Sequence, residues 1–158
     1  MKVLKIIETI DIGLQLPEDA EVVSQTLSEY MEAEHDRYDL IVCVHVLQTL
    51  FASDVMEVFV KMANDLVPMG ELHVHVPAMD FAAKKIIKSD ADPIAFYMVY
   101  GSKETPFHCG FNLLWLRALA TQAGMLVRSA QAGLFDITYS DRKVQVPEHV
   151  VVATVLPD

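Results

Sequence analysis

The sequence predicts an α/β fold with three layers, built on a mostly parallel sheet that carries an antiparallel hairpin at its C-terminal end. Three observations carry this expectation. Tyr38-Asp39-Leu40-Ile41-Val42-Cys43-Val44 is a nearly continuous apolar run, as a strand covered on both faces requires. Val55, Phe59, Met62 and Leu66 then recur at helical spacing, before a second strand-like run from Glu71 to Pro77. Such alternation of strand and helix points to parallel strands joined by right-handed crossovers. Finally, two late strand-like segments flank the turn-rich Tyr139-Ser140-Asp141-Arg142, which suits an antiparallel hairpin.

Lys2 to Asp11 is rich in aliphatic and β-branched residues and reads as a buried strand. From Glu18 to Glu34, Ala20, Val23, Leu27 and Tyr30 fall at helical spacing, so periodicity narrowly favours one helix there. Tyr38 to Val44 is the next strand. Asp54 with Glu57 predicts a capping box for the following helix, and Pro68-Met69-Gly70 predicts its end. Glu71 to Pro77 is a strand, and Asp80 is placed as the cap of a short helix through Ile87. Ser89 to Phe111 reads as irregular, broken by Pro93, Gly101 and Pro106. Asn112 caps a helix that stops at Gly124. The late strands are placed near Met125 to Gln131 and near His149 to Leu156.

With 158 residues, the chain is expected to form a single domain over residues 1–158 and to bury a core without disulfides. Its 12 Lys and Arg against 22 Asp and Glu give a net charge of −10. That charge repels a phosphate backbone, so no nucleic-acid partner is expected. Cys43 and Cys109 are too few for a disulfide framework, and Cys43 reads as a buried thiol of a reducing compartment. No apolar run approaches the ~18–20 residues of a membrane span, and Glu8 and Asp11 interrupt any signal-like start. The expectation is a cytoplasmic protein with no membrane partner.

From about Ile10 onward the chain resembles class I S-adenosylmethionine-dependent methyltransferases, in particular small type 11-like members often found beside glycan-synthesis genes. Their fourth strand and His-x-Leu-Glu-His motif match Asp39-Leu40-Ile41-Val42 and His45-Val46-Leu47-Gln48-Thr49. Their Leu-x-Pro-Gly-Gly and following Val-Pro match Leu66-Val67-Pro68-Met69-Gly70 and Val76-Pro77. Asp92-Pro93, Tyr100-Gly101, His108-Cys109-Gly110-Phe111 and Ala123-Gly124-Met125 follow in the family's order. No piece is specific by itself; order and spacing over roughly two-thirds of the chain carry the resemblance. It implies a Rossmann-like methyltransferase fold, S-adenosylmethionine as cofactor if the chain is active, and a small substrate such as a sugar or metabolite. It also offers an alternative for the start: a short strand at Glu21 to Val23 with a shorter helix after it, the family's central strand missing and a neighbour closing the gap.

The departures are as informative. The family's first strand ends in Gly-x-Gly, where the backbone approaches the cofactor too closely for a Cβ. The six glycines here are Gly13, Gly70, Gly101, Gly110, Gly124 and Gly133, and no two are close enough for that motif. Gln48-Thr49 replaces the motif's Glu-His. The chain therefore reads as an N-terminally truncated, methyltransferase-like domain with a degenerate or absent cofactor site, acting through binding or assembly. The alternative is an active methyltransferase with a rebuilt site.

In the resemblance, Asp11 would hold the cofactor's ribose hydroxyls; a strand-end carboxylate before Gly13 is the plainer reading. His45 follows the carboxyl end of a strand, where open α/β sheets bind ligands, and is the other cofactor-binding candidate. Tyr97, Tyr100, His108 and Phe111, with Phe107, are candidates for a substrate pocket, or for a small core that pins their loop. A metal site of His45, His75 and His108 is geometrically conceivable but has no ligand spacing to enforce it, and none is assigned. No pattern assigns a catalytic residue. A homodimer is expected, through a sheet edge or through the face that a lost helix would have covered.

Overall fold

The computed structural model describes residues 1–8, 15–88, 92–139 and 141–157. Strands β1 (Lys2–Ile7), β2 (Glu21–Gln25), β3 (Tyr38–Val44), β4 (Leu66–Pro77), β5 (Leu126–Tyr139) and β6 (Arg142–Thr154) form one sheet in the order β2-β1-β3-β4-β6-β5. The first four run parallel, β6 is antiparallel to β4, and β5 is antiparallel to β6. The α/β architecture with a mostly parallel sheet and a C-terminal hairpin is thus the one the sequence predicts.

Helices α1 (Leu27–Glu32), α2 (Val55–Asp65) and α5 (Leu113–Gln122) cover one face, over Leu4, Ile6, Ile41 and Cys43. Phe59, Met62 and Leu116 are fully buried there. Each such side chain contributes about 1.5–3 kcal/mol of burial. On the opposite face, α3 (Met79–Ile87) and α4 (Pro93–Tyr100) pack over Phe135, Ile137 and Val146. Nearer β2, that same face buries Val3, Leu40, Val42 and Val44 beneath Leu16 and Ala20. Both faces of β3 are therefore covered, which explains its unbroken apolar run.

The single helix favoured over Glu18 to Glu34 is replaced by β2 and α1. Parallel pairing with β1, from Lys2↔Glu21 to Ile6↔Gln25, fixes Val22 and Val23 in extended form. Tertiary pairing overrides local periodicity here. Thr26 then caps α1, its hydroxyl accepting from Glu29 N while Glu29 accepts from the Thr26 backbone N–H. β1 pairs with β3 on its other side, so the sheet has no gap.

Five smaller expectations are also corrected. Asp54 makes no side-chain cap; its carboxylate accepts from Ser53 Oγ at 2.7 Å instead. Ala78, not Asp80, is the N-cap of α3, with Asp80 in its first turn. Pro68-Met69-Gly70 lies inside β4, where Met69 takes φ +64. The segment read as irregular holds α4, capped by Asp92 accepting from Ile94 N, with Pro93 in its first turn. Gly101 ends α4 at φ +73, and a Cβ there would collide with the Thr105 carbonyl oxygen. The hairpin strands are longer than predicted, because they pair with each other all the way from Leu126↔Thr154 to Tyr139↔Arg142.

Candidate functional site

The parallel strands β1, β3 and β4 end at one edge, where His45, Gln48 and Pro77 gather. β3 stops at Val44 because His45 takes φ +50, a left-handed turn that disfavours continued pairing. Such a conformation at a non-glycine residue costs about 1–3 kcal/mol and persists only when its surroundings impose it. They do so from three sides. His45 N donates to His75 O at 2.9 Å, and Gln48 Nε2 donates to His45 O at 2.6 Å. The imidazole Nε2 pairs with Glu148 Oε2 at 2.9 Å, and its ring lies 4.0 Å from that of Phe135.

Glu148 comes from β6, where Pro77↔Glu148 pairing brings it over the ends of β3 and β4. Its second oxygen pairs with His75 Nδ1 at 3.2 Å. One carboxylate, 5% exposed, thus bridges two imidazoles. Burial opposes its charge, yet the two imidazole hydrogen bonds outweigh it and hold its pKa at about 2. Burial also pushes His45 below its usual range, against the pull of Glu148. At neutral pH, then, neutral His45 donates to an ionised Glu148. Beside this clamp, His149 Nε2 pairs with Asp80 Oδ1 at 2.6 Å, tying β6 to α3.

The crevice at this edge is lined by Glu8, His45, Gln48, Pro77, Tyr97 and Phe107, among others, and encloses about 40 Å³. Among the described residues, Gln48 Oε1 is a buried acceptor without a partner. Larger cavities lie elsewhere. One of about 500 Å³ sits among His35, Asp36 and Arg37, at the opposite ends of the strands. Another of about 320 Å³ lies between α3, α4 and the hairpin, beside Phe81 and Met98.

Of the candidates read from sequence, His45, Tyr97 and Phe107 reach the crevice. Tyr100 is 64% exposed and stacks on Phe96, away from it. His108 stands outside on Phe51, with ring centroids 4.6 Å apart, while its backbone N–H donates to Gln48 O at 2.8 Å. Phe111 is 1% exposed and stacks on Trp115 within the core. Asp11 lies outside the described residues. His45 and His75 do converge, but on a carboxylate rather than on each other with His108. Among the described residues, no group of three or more His, Cys, Asp or Glu side chains could hold a metal ion.

Sequence reading missed Glu148. The signal was a lone acid in the apolar run Val146-Pro147-Glu148-His149-Val150-Val151. A buried carboxylate needs donors, and His45 and His75 stand at strand ends able to supply them.

The groups of this crevice do not fit S-adenosylmethionine. Sites for ligands of that size commonly enclose about 300–1,000 Å³, against about 40 Å³ here. His45, His75 and Glu148 satisfy one another, and the chain has no Gly-x-Gly turn.

No family model matches the sequence, and no curated protein does. Solved structures do. An S-adenosylmethionine-dependent methyltransferase from Methanosarcina mazei superposes with TM-score 0.60 at 15% identity, covering 99% of this chain and 83% of its own. A structure describing conversion of a disulfide bond into a thioacetal group during echinomycin biosynthesis gives 0.57 at 12% identity, covering 87% and 56%. TehB from Haemophilus influenzae gives 0.53 at 11%, covering 87% and 42%. The chain thus spans less than two-thirds of two of these three. No helix among the described residues is long and apolar enough to cross a membrane. Strand order, the C-terminal hairpin and these superpositions together establish that the chain has the class I S-adenosylmethionine-dependent methyltransferase-like, Rossmann-like fold.

Proposed function

We propose that this chain is a methyltransferase-like domain that acts through binding or assembly rather than by methyl transfer. The observation that carries the reading is the clamp at the strand edge. Glu148 on the hairpin bridges His45 and His75, Phe135 covers His45, and the crevice that His45 lines with Tyr97 encloses about 40 Å³. Two of the histidines at the strand edge, His45 and His75, are spent on Glu148 rather than on a ligand. Opening the crevice would leave a charged carboxylate and two imidazoles to be satisfied by the incoming molecule.

Calorimetric titration with S-adenosylmethionine, and separately with its demethylated product, tests this. The expected result is no saturation below about 1 mM, near −4 kcal/mol. Saturable micromolar binding of either compound would overturn the reading.

A further inference from the structure

We propose that the cavity at the amino ends of β3 and β4 is a binding site for a small organic phosphate monoester, with His35 and Arg37 as its polar anchors. It encloses about 500 Å³, within the range of sites for small organic ligands, and lies at the end of the strands opposite the closed crevice. Three element ends meet there. α2 stops at Asp65, β4 starts at Leu66, and β6 stops at Thr154. The segment between α1 and β3 is fixed to them at three points. Lys61 Nζ donates to Ala33 O at 3.1 Å, His35 Nδ1 pairs with Asp65 Oδ1 at 2.6 Å, and Arg37 donates a guanidinium N–H to Leu66 O at 2.9 Å. Two side chains of an irregular segment are thus set before a ligand arrives, which lowers the cost of ordering them on binding.

Asp65 holds the imidazole in place. Its carboxylate is 1% exposed, and its other oxygen accepts from the Tyr30 hydroxyl at 2.9 Å and faces Lys61 Nζ at 3.3 Å. An ionised carboxylate only accepts, so His35 bonds it through Nδ1–H. Nε2 is left over on a side chain that is 70% exposed. Among the described residues, neither Nε2 nor the remaining guanidinium nitrogens of Arg37 have a protein partner. Asp36, the acid beside them, is taken by Lys2 and by the Arg37 backbone N–H.

The chemistry of the pair selects the ligand. A guanidinium fork takes two oxygens of a carboxylate or a phosphate. Nε2 accepts when the ring is neutral and donates when it is protonated. A phosphate monoester, whose second ionisation lies near about pH 6, suits both states: its P–OH donates to Nε2, or its oxygens accept from it. A carboxylate ionised at neutral pH only accepts. The organic group then lies against Leu66, Pro68 and Val155. The cavity of about 320 Å³ beside Phe81 lacks such a pair, since its Lys85 is taken by Asp92 at 3.0 Å.

Titration of the full chain with phenyl phosphate, followed by backbone amide NMR and by calorimetry, tests this. Saturable shifts are expected at His35, Arg37 and Leu66 and not at His45 or Gln48, with a dissociation constant below about 1 mM. Benzoate should bind about tenfold more weakly. His35→Asn keeps an N–H for Asp65 but has no Nε2. It should hold its melting temperature and weaken phenyl phosphate about tenfold, as should Arg37→Gln. Should His35→Asn fold poorly, the unmodified chain and Arg37→Gln decide. No saturation by phenyl phosphate below about 1 mM, shifts centred on His45, equal affinity for benzoate, or full affinity in either folded variant would overturn the proposal. S-adenosylmethionine carries no phosphate, so this test and the cofactor titration fail separately.

Discussion

At the scale of residues, Glu148 is the pivot. Its carboxyl is held at about 2, below its ordinary 4.5, and burial holds His45 below 6.5. In both cases the unfolded chain binds more protons, so stability falls as pH falls. Melting temperature should decline first below about pH 6.5, as unfolded His45 takes up its proton. It should decline further between about pH 4.5 and 2, where the Glu148 contribution, on the order of 3 kcal/mol, is lost. Glu148→Gln should flatten that lower limb in a thermal series against pH. The two candidate histidines should also part company. His45→Ala removes one of the two donors to a buried carboxylate and should cost about 1–3 kcal/mol. His108 is exposed and rests on the exposed Phe51, so His108→Ala should stay within about 0.5 kcal/mol. Calorimetric unfolding of the pair checks both. His45 was legible in sequence as a strand-end residue, but its partner was not. Glu148 is 103 residues away, and no local pattern links them.

At the scale of elements, legibility followed the locality of the signal. α5 could be read from Asn112 and Gly124 because caps are short-range chemistry, and Asn112 Oδ1 does accept from Trp115 N at 2.8 Å. α4 went unread although Asp92-Pro93 opens it, because the breakers around it dominated the reading. Asp92→Ala should therefore destabilise the protein by about 1 kcal/mol, from loss of the cap to Ile94 N. It also removes the Lys85 contact at 3.0 Å, a half-exposed pair worth little. Urea denaturation measures the sum. β2 was lost to a helical pattern for a different reason. Its extended form is imposed by β1, and only the Thr26–Glu29 capping box marked where a helix could begin.

At the scale of the whole molecule, a ligand that bound the folded state would raise its melting temperature. With affinity no better than about millimolar, 1 mM S-adenosylmethionine should shift it by no more than about 2 °C. A larger shift in differential scanning fluorimetry would count against a closed crevice. The sequence alone determined the α/β class, the buried β3 run, the C-terminal hairpin and the absence of a Gly-x-Gly turn. These depend on residue periodicity and on glycine's missing Cβ, both of which are written locally. Tertiary structure decided that β1 lies between β2 and β3, and that the hairpin reaches back over the strand edge. It also decided that His45 and His75 share Glu148 rather than face an open site. Those outcomes depend on which distant segments pair, and pairing is set by the backbone hydrogen bonds and buried charges of the assembled sheet.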